Sequence, residues 1–504
     1  MNTILDYIDF IEEKYCEKCA YADDISSYSF SDVKKTAKSI GTFLAKKIDM
    51  YSPVVIYMEK KSYNIPAFFG AIYAGGFYVP IDSQMPNDRI QLIYKYLNPV
   101  VIICDDYTEK KARANFTEIP IYNFSEAVSE PIDDTILDEV RSKMKSTDIL
   151  YVLFTSGSTG IPKGVTISHL AVIDFVEWIS KKYYMDENTR LCNQAPFYFD
   201  ASVPDIFIPL KTGATLYIPP KTYYTFPKKI VSYLNEHKIN TIIWVPSALC
   251  NVVNCKAFDV VVPENIKLVI FCGEVMPCKH LNVWRKYVPD ALYVNMYGPT
   301  EATYACMYYE INREYSDEEK LPLGKACENS TILLLNEKNE ITSQGEIGEI
   351  CVLGQCLSYG YYNAWEKTKE VFVQCPINEK WLENMYRTGD LAYFDENGEC
   401  IFAGRKDYQI KRLGYRIELG EIENAILAIP QIFNACCIYN QLSNDIYAIY
   451  VGNIDKEEIE QKLKKGLPHY MLPTKYEKLE EMPMNINGKI DRVWLKEMYV
   501  QTKY

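Results

Sequence analysis

Residues 155–164 read Thr-Ser-Gly-Ser-Thr-Gly-Ile-Pro-Lys-Gly and follow directly on an apolar run, Ile149 to Phe154. Gly157, Gly160 and Gly164 let backbone N–H groups approach an anion closely. The hydroxyls of Thr155, Ser156, Ser158 and Thr159 add donors, and Lys163 adds positive charge, so the segment suits phosphate. It is not a Walker A loop, because Gly164 stands where Ser or Thr would follow the lysine, and no Gly-x-Gly-x-x-Gly follows a strand. Composition alone fits a surface loop of Ser, Thr and Gly equally well. Glu301 closes a Gly298-Pro299-Thr300 turn, and a hard Mg²⁺ on ATP phosphates takes oxygen ligands of that kind. On its own Glu301 also reads as a surface acid. Asp390 follows a Thr388-Gly389 turn, Tyr297 offers a flat face to adenine, and Lys489 lies in a polar turn. Their plain alternatives are a turn aspartate, a core tyrosine and a solvated lysine. Asp200 lies in Phe199-Asp200-Ala201-Ser202, and a partly buried carboxylate there requires a cation.

The elements around these residues follow a consistent pattern. Short β-branched runs at Val54 to Met58, Val100 to Cys104, Ile149 to Phe154, Thr241 to Val245, Lys267 to Cys272 and Leu292 to Asn295 predict buried parallel strands. A helix through Ala67 to Tyr73 and further helical stretches between the runs predict an α/β domain of mostly parallel sheets. From Leu321 to Tyr361 the pattern changes to short strands with glycine turns, a β-rich subdomain. Beyond the Asp395–Gly398 turn, helices at Glu421 to Leu427 and Lys456 to Lys464 and strands at Cys436 to Tyr439 and Ile446 to Val451 predict a small α+β domain. We expect a core over 1–403, a polar linker at 404–407 and a C-terminal domain over 408–504.

A chain of 504 residues exceeds the size at which one hydrophobic core stops growing, which supports more than one domain. With 67 acidic against 54 basic residues the net charge is −13, opposite to the footprint of a nucleic-acid binder. The N-terminus carries acids where a secretory signal carries bases, and no run of apolar residues is long enough to insert in a membrane, so a cytoplasmic protein is expected. The 16 cysteines then read as reduced thiols acting as small hydrophobes; the Cys16-x-x-Cys19 pair lacks a second pair and a histidine, which favours a buried helix turn over a metal site. The 42 dispersed tyrosines read as amphipathic packing.

The order of residues 155–164 resembles the phosphate-binding signature of the adenylate-forming superfamily, which includes acyl-CoA synthetases, luciferases and the adenylation domains of nonribosomal peptide synthetases. Tyr28-Ser29-Phe30 and Ala74 to Asp82 resemble early motifs of its amino-acid-activating branch. Asn295 to Glu301, Tyr386 to Asp390, Gly404 to Asp407, Arg416 to Glu421 and Asn487 to Arg492 resemble later ones. The resemblance spans nearly the whole chain. It implies activation of a carboxylate by ATP and Mg²⁺ as an acyl-adenylate, followed by transfer to a thiol. It implies an ATP site from Thr155, Ser156, Gly157, Ser158, Thr159, Gly160, Lys163, Gly273, Glu274, Asn295, Met296, Tyr297, Gly298, Pro299, Thr300, Asp390, Phe402, Arg405 and Lys489. Catalytic roles would fall to Lys489, Glu301 (also the Mg²⁺ ligand) and Thr155, and the hinge to Asp407.

Asp200 matches the aspartate that holds the substrate ammonium in amino-acid-activating members, with Lys489 at the carboxylate and Ala201, Pro204, Trp244, Cys272, Met296 and Tyr304 as side-chain walls. Large walls imply a small amino acid. Phe271 to Pro277 is similar to the branch that loads D-alanine onto a carrier protein, although Tyr304, Met296 and Pro204 depart from its usual choices. No Gly-x-Asp-Ser-type serine follows Arg492, so a separate phosphopantetheine-bearing carrier is the expected partner, docked on Lys411, Arg412 and Arg416. The alternatives are a stand-alone peptide-synthetase-type enzyme for another amino acid, an acyl-CoA synthetase, which Asp200 disfavours, and a non-catalytic nucleotide-binding relative, which Lys489, Glu301 and Asp390 together disfavour.

Overall fold

The fold was analysed in a computed structural model that describes residues 2–157, 161–441, 443–484 and 490–500. The chain forms two compact units. The larger comprises Met1–Ser83, Leu97–Leu153 and Gly164–Lys406, and the smaller comprises Gln84–Tyr96, Phe154–Lys163 and Asp407–Tyr504.

Two parallel-rich sheets and one antiparallel sheet build the larger unit. The first sheet runs Ile121–Asn123, Val101–Cys104, Pro53–Tyr57, Phe77–Pro80, Ile149–Thr155, Lys163–Ser168, with parallel pairing from its first strand to its fifth. The second has nine strands, and its parallel centre is ordered Leu292–Tyr297, Leu268–Cys272, Thr241–Trp244, Arg190–Cys192, Thr215–Tyr217, Cys19–Ala22. Every residue of Pro53–Tyr57 and Leu268–Cys272 is buried, which is why these runs are apolar without alternation. Alternation still decides which core each side chain joins. Leu268, Ile270 and Cys272 share one core with Ile243, Val294 and Met296, whereas Val269 and Phe271 share the other with Ile242 and Trp244. The antiparallel sheet pairs Ser330–Leu335, Gly348–Gly354, Asn384–Phe394, Phe372–Gln374 and Cys400–Arg405. This is a mixed α/β fold with a β-rich subdomain.

One reading from sequence changes at this level. Cys16 is exposed just past the helix Ile4–Tyr15, and Cys19 opens a strand, so the pair does not form a buried helix turn. Twelve of the other cysteines are buried, so most do pack as small hydrophobes. In the polar linker the Arg405 guanidinium pairs with Asp390 and Lys406 Nζ lies 3.0 Å from Glu349. Among the described residues no helix is long and apolar enough to cross a membrane.

The smaller unit joins the hairpin Gln409–Arg412/Tyr415–Glu418 to a three-stranded sheet of Ile432–Asn440, Asp445–Gly452 and Lys475–Lys478, with helices Leu419–Leu427, Lys456–Gly466 and Arg492–Val500. Ile417, Ile422, Ile426, Cys437 and Ala448 meet in its core. Arg412, expected at the surface as a docking charge, is only 7% exposed. Its Nε donates to the Asn444 carbonyl at 2.9 Å and its Nη1 to the Tyr470 carbonyl at 2.8 Å, so it fastens loops of this unit together. A guanidinium has five N–H donors and suits that task where a lysine would not. Reversing it to Glu would set an anion against carbonyl oxygens. We expect Arg412→Glu to destabilise the protein by about 3 kcal/mol or more, seen as early thermal unfolding and cleavage within 407–504 under limited proteolysis. A wild-type unfolding profile would return Arg412 to the surface.

In the larger unit the Ile4 N–H donates to His169 Nδ1 at 3.2 Å, tying the first helix to the helix His169–Lys182. Burial holds the His169 imidazole down at about 4 from 6.5. The neutral ring is therefore the folded form. Its stabilisation is complete above pH 6.5 and disappears as pH falls toward 4, for a total of up to about 3 kcal/mol. We expect wild type to lose more melting temperature than His169→Gln between pH 7 and 4.5, because glutamine accepts the same bond without titrating. Parallel losses would remove His169 from the acid response.

Candidate active site

The segment after Ile149–Thr155 belongs to the smaller unit, and two of its groups are tied within that unit. Ser156 Oγ donates to the Arg416 carbonyl at 2.7 Å, and the Gly157 N–H donates to Glu421 Oε2 at 3.3 Å. Glu421 is paired with Arg89, although burial still pushes its carboxyl above the usual range. A backbone N–H of the proposed phosphate segment thus donates to a carboxyl oxygen, the kind of acceptor a phosphate also offers. A Cβ at Gly157 would lie 2.0 Å from the Ile161 carbonyl oxygen, so no larger residue fits without moving backbone. Thr155 Oγ1 is buried and has no hydrogen-bond partner among the described residues. An unsatisfied hydroxyl beside a glycine-shaped cradle fits a nucleotide phosphate. Ser158, Thr159, Gly160 and Lys489 lie outside the described residues. Lys163 opens the strand Lys163–Ser168, and its charge acts on Glu421.

In the larger unit the strand Leu292–Tyr297 delivers Asn295, Met296 and Tyr297 to a turn in which Gly298 is obligatory. A Cβ there would meet Ala305 Cα and the Tyr304 carbonyl at 2.5 Å. Thr300 Oγ1 donates to Asp200 Oδ2 at 2.7 Å, which brings the proposed ammonium site to this turn. Glu301 is fully buried, and its Oε1 accepts from the Tyr361 hydroxyl at 2.8 Å. Sequence reasoning missed Tyr361, because nothing local marks a tyrosine that meets a carboxylate 60 positions away. The Tyr297 hydroxyl donates to Asp390 Oδ2 at 2.5 Å, and the Arg405 guanidinium pairs with the other carboxylate oxygen. Burial and that carboxylate raise the Tyr297 hydroxyl well above the ordinary phenol range. Phe402 packs against the core that contains Tyr297. Gly273 has φ 98° with open space where a Cβ would be, and Glu274 Oε2 accepts from the Ser247 N–H at 3.0 Å. Asn295 turns away, donating Nδ2 to the Pro322 carbonyl at 2.8 Å.

The proposed side-chain walls divide. Cys272 and Met296 are register partners, and both lie in one core with Tyr304, against which Ala201 packs. Pro204 is buried on the next turn of the helix Val203–Thr212. Trp244 is on the opposite face of the sheet, aligned with Phe271, and its Nε1 donates to the Cys192 carbonyl at 2.9 Å. The residue that shares a face with Cys272 is Ile243, and period-two alternation along Thr241–Trp244 is the signal that finds it.

Tyr304 is held by two successive left-handed residues, Thr303 at φ 52° and Tyr304 at φ 76°. Such a conformation is strained for residues with a Cβ and marks functional sites. Thr303 is fixed by donation to the Cys356 carbonyl at 2.7 Å, and the Tyr304 ring meets Phe175 edge-on at 5.6 Å. Burial, then Cys272, Asp205 and Asp200, lift the Tyr304 hydroxyl well above its usual range. Asp205 is fully buried, accepts from Asn193 Nδ2 at 2.7 Å, and is pushed up to about 8 by burial. Within the larger unit the arrangement brings a carboxylate to the Tyr297–Glu301 turn and provides a short, walled space.

Residues 11–362 match the AMP-binding enzyme family, and residues 421–489 match the AMP-binding enzyme C-terminal domain. A D-alanine–D-alanyl carrier protein ligase of Listeria welshimeri serovar 6b is 33% identical over 98% of this chain and 99% of its own. Tyrocidine synthase 1 of Brevibacillus parabrevis is 32% identical over 96% of this chain and 44% of its own. The Vibrio cholerae adenylation domain AlmE, solved with glycyl-adenosine-5'-phosphate, superposes with a TM-score of 0.83 at 20% identity, covering 98% of this chain and 97% of AlmE, a likeness of fold. Because the similarity runs unbroken through the phosphate segment and the Tyr297–Glu301 turn and resumes in the C-terminal unit, the chain belongs to the family of AMP-binding enzymes.

Proposed function

We propose that the protein activates a small amino acid, with D-alanine favoured, as its adenylate and transfers it to the phosphopantetheine thiol of a separate carrier protein in the cytoplasm. The observation that carries this reading is the Asp200–Thr300 contact, which fixes a carboxylate beside the Tyr297–Glu301 turn in an orientation that suits the ammonium of an amino acid. The name and full-length similarity of the Listeria ligase support both D-alanine and the carrier. Asp200 would hold the ammonium and Lys489 the carboxylate, while Ala201, Pro204, Ile243, Cys272, Met296 and Tyr304 bound the side chain. A carboxylate oxygen then attacks the α-phosphorus of ATP and pyrophosphate leaves. In the second step the thiol sulfur attacks the acyl carbon, AMP leaves and the thiol proton is lost to solvent.

In the first step two anions meet. Lys489 offsets that crowding, and Thr155 with the Gly157 N–H holds phosphate oxygens. The Tyr297 face would receive adenine and Asp390 the ribose hydroxyls. Glu301, a hard oxygen donor positioned by Tyr361, fits Mg²⁺, which supplies charge neutralisation on the phosphates. Asp407, at the start of the third segment of the smaller unit, is the proposed hinge.

The test is ATP–pyrophosphate exchange across D- and L-amino acids, followed by loading of carrier. D-alanine should give the fastest exchange, with bulky amino acids excluded sterically. A single methyl is worth only about 1–3 kcal/mol, so glycine should follow closely. The strained Tyr304 favours a second reading, another short amino acid; Tyr304→Val should then speed D-alanine or admit larger side chains. Preference for an aromatic or charged amino acid would overturn both readings.

Lys489→Ala should abolish adenylate formation, by about 10²–10³-fold as for loss of a preorganised charge, and largely spare thioester formation from supplied adenylate. Equal loss in both half-reactions would assign Lys489 another role.

A further inference from the structure

We propose that the larger unit carries a second anion site, at the end of the parallel strands opposite to Cys272 and Met296, which takes a small phosphate-bearing anion. The site is a cavity of about 350 Å³. Its lining residues come from the N-terminal ends of five adjacent parallel strands of the nine-stranded sheet. Lys18 precedes Cys19–Ala22, Arg190 opens Arg190–Cys192, Thr215 opens Thr215–Tyr217, Lys238 and Asn240 precede Thr241–Trp244, and Lys267 precedes Leu268–Cys272. The candidate substrate walls are at the other end of these strands.

The charge balance is what marks the cavity. In a chain with net charge −13, four cations, Lys18, Arg190, Lys238 and Lys267, line it against one carboxylate, Glu187. Among the described residues none of the four forms an ion pair, and Glu187 forms none either, whereas basic side chains elsewhere in the unit, such as Lys34, Arg141 and Arg387, are paired with carboxylates.

Two of the four are held in place by neutral acceptors, which fix position without cancelling charge. Lys18 Nζ donates to the carbonyls of Glu187, at 2.6 Å, and Gly213. Arg190 Nη1 donates to the Tyr217 hydroxyl at 3.2 Å and the His237 carbonyl at 3.0 Å. Asn240 stitches the wall, accepting from the Arg190 N–H at 2.9 Å and donating to the Asn188 carbonyl at 2.9 Å. Burial disfavours the charged form of Lys18, and nearby Arg190 adds to that effect, so a bound anion would relieve a cost already present. Lys238, at φ 50° just past the helix Pro227–Glu236, and the exposed Lys267 complete the rim.

Phosphate matches this geometry. It has several acceptor oxygens and up to two charges, suited to a guanidinium and ammonium groups converging from different strands. The cavity volume admits a mono- or diphosphate group, and its concavity favours a small ligand over an extended chain.

The test uses inorganic phosphate and pyrophosphate as probes, titrated calorimetrically into the full chain. Three proteins are compared: wild type, Lys238→Glu/Lys267→Glu, and Lys163→Ala, which perturbs only the candidate active site. Wild type and Lys163→Ala should retain a binding event that the double variant loses by about tenfold or more, and that weakens as salt is raised. The double variant changes exposed residues and should melt as wild type does; Lys238→Gln/Lys267→Gln, with a smaller loss, repeats the test without reversed charge. Equal binding by wild type and both double variants, loss of all binding in Lys163→Ala, or no binding to wild type would each overturn the proposal.

Discussion

A carboxylate taken out of water must be given donors, and in the larger unit those donors are repeatedly tyrosine hydroxyls. Tyr361 serves Glu301, Tyr297 serves Asp390, Tyr63 serves Asp105 and Tyr7 serves Glu177, at 2.5–2.9 Å. A phenol differs from an arginine in one decisive respect: it satisfies a lone pair but leaves the negative charge in place. Glu301 can therefore be buried and oriented yet still attract a cation. Burial pushes the phenols themselves upward, as at Tyr7 and Tyr63, so the proton stays on the tyrosine. The abundance of tyrosine serves polar satisfaction as well as packing.

Asp390 shows the other solution. Tyr297 and Arg405 share its two oxygens, which fixes its plane and balances its charge. Charged groups required for position alone can be neutralised in this way. Groups required for electrostatic work cannot be neutralised in this way without losing it.

Much of this was legible in the sequence for a simple reason. Strands buried on both faces must be apolar at every position, so Pro53–Tyr57 and Leu268–Cys272 announce themselves. Gly157 and Gly298 mark places where backbone approaches backbone, and a Cβ would collide at both. What escaped was direction. Trp244 and Ile243 are equally apolar, and only the strand's period assigns them to opposite faces. Arg412 was misread because charge suggests solvent, whereas its guanidinium is consumed by carbonyls supplied by residues 30–60 positions away. Tyr361 was missed for the same cause: its partner is distant in sequence, and a lone tyrosine carries no local mark.

The buried cysteines have a consequence for chemical selectivity. An enzyme that generates an acyl-adenylate and hands it to a thiol holds an electrophile among 16 thiols of its own. Burial pushes Cys104, Cys192, Cys351 and Cys400 up to about 12. At neutral pH a thiol of that acidity is deprotonated in only about one molecule in 10⁵, and the thiolate is the nucleophile. These four sulfurs are thus silent toward an activated acyl group, suppressed by the same desolvation that packs the core. In the proposed transfer, an incoming pantetheine thiol then meets less competition from these four than from cysteines that reach solvent, such as Cys16 and Cys255.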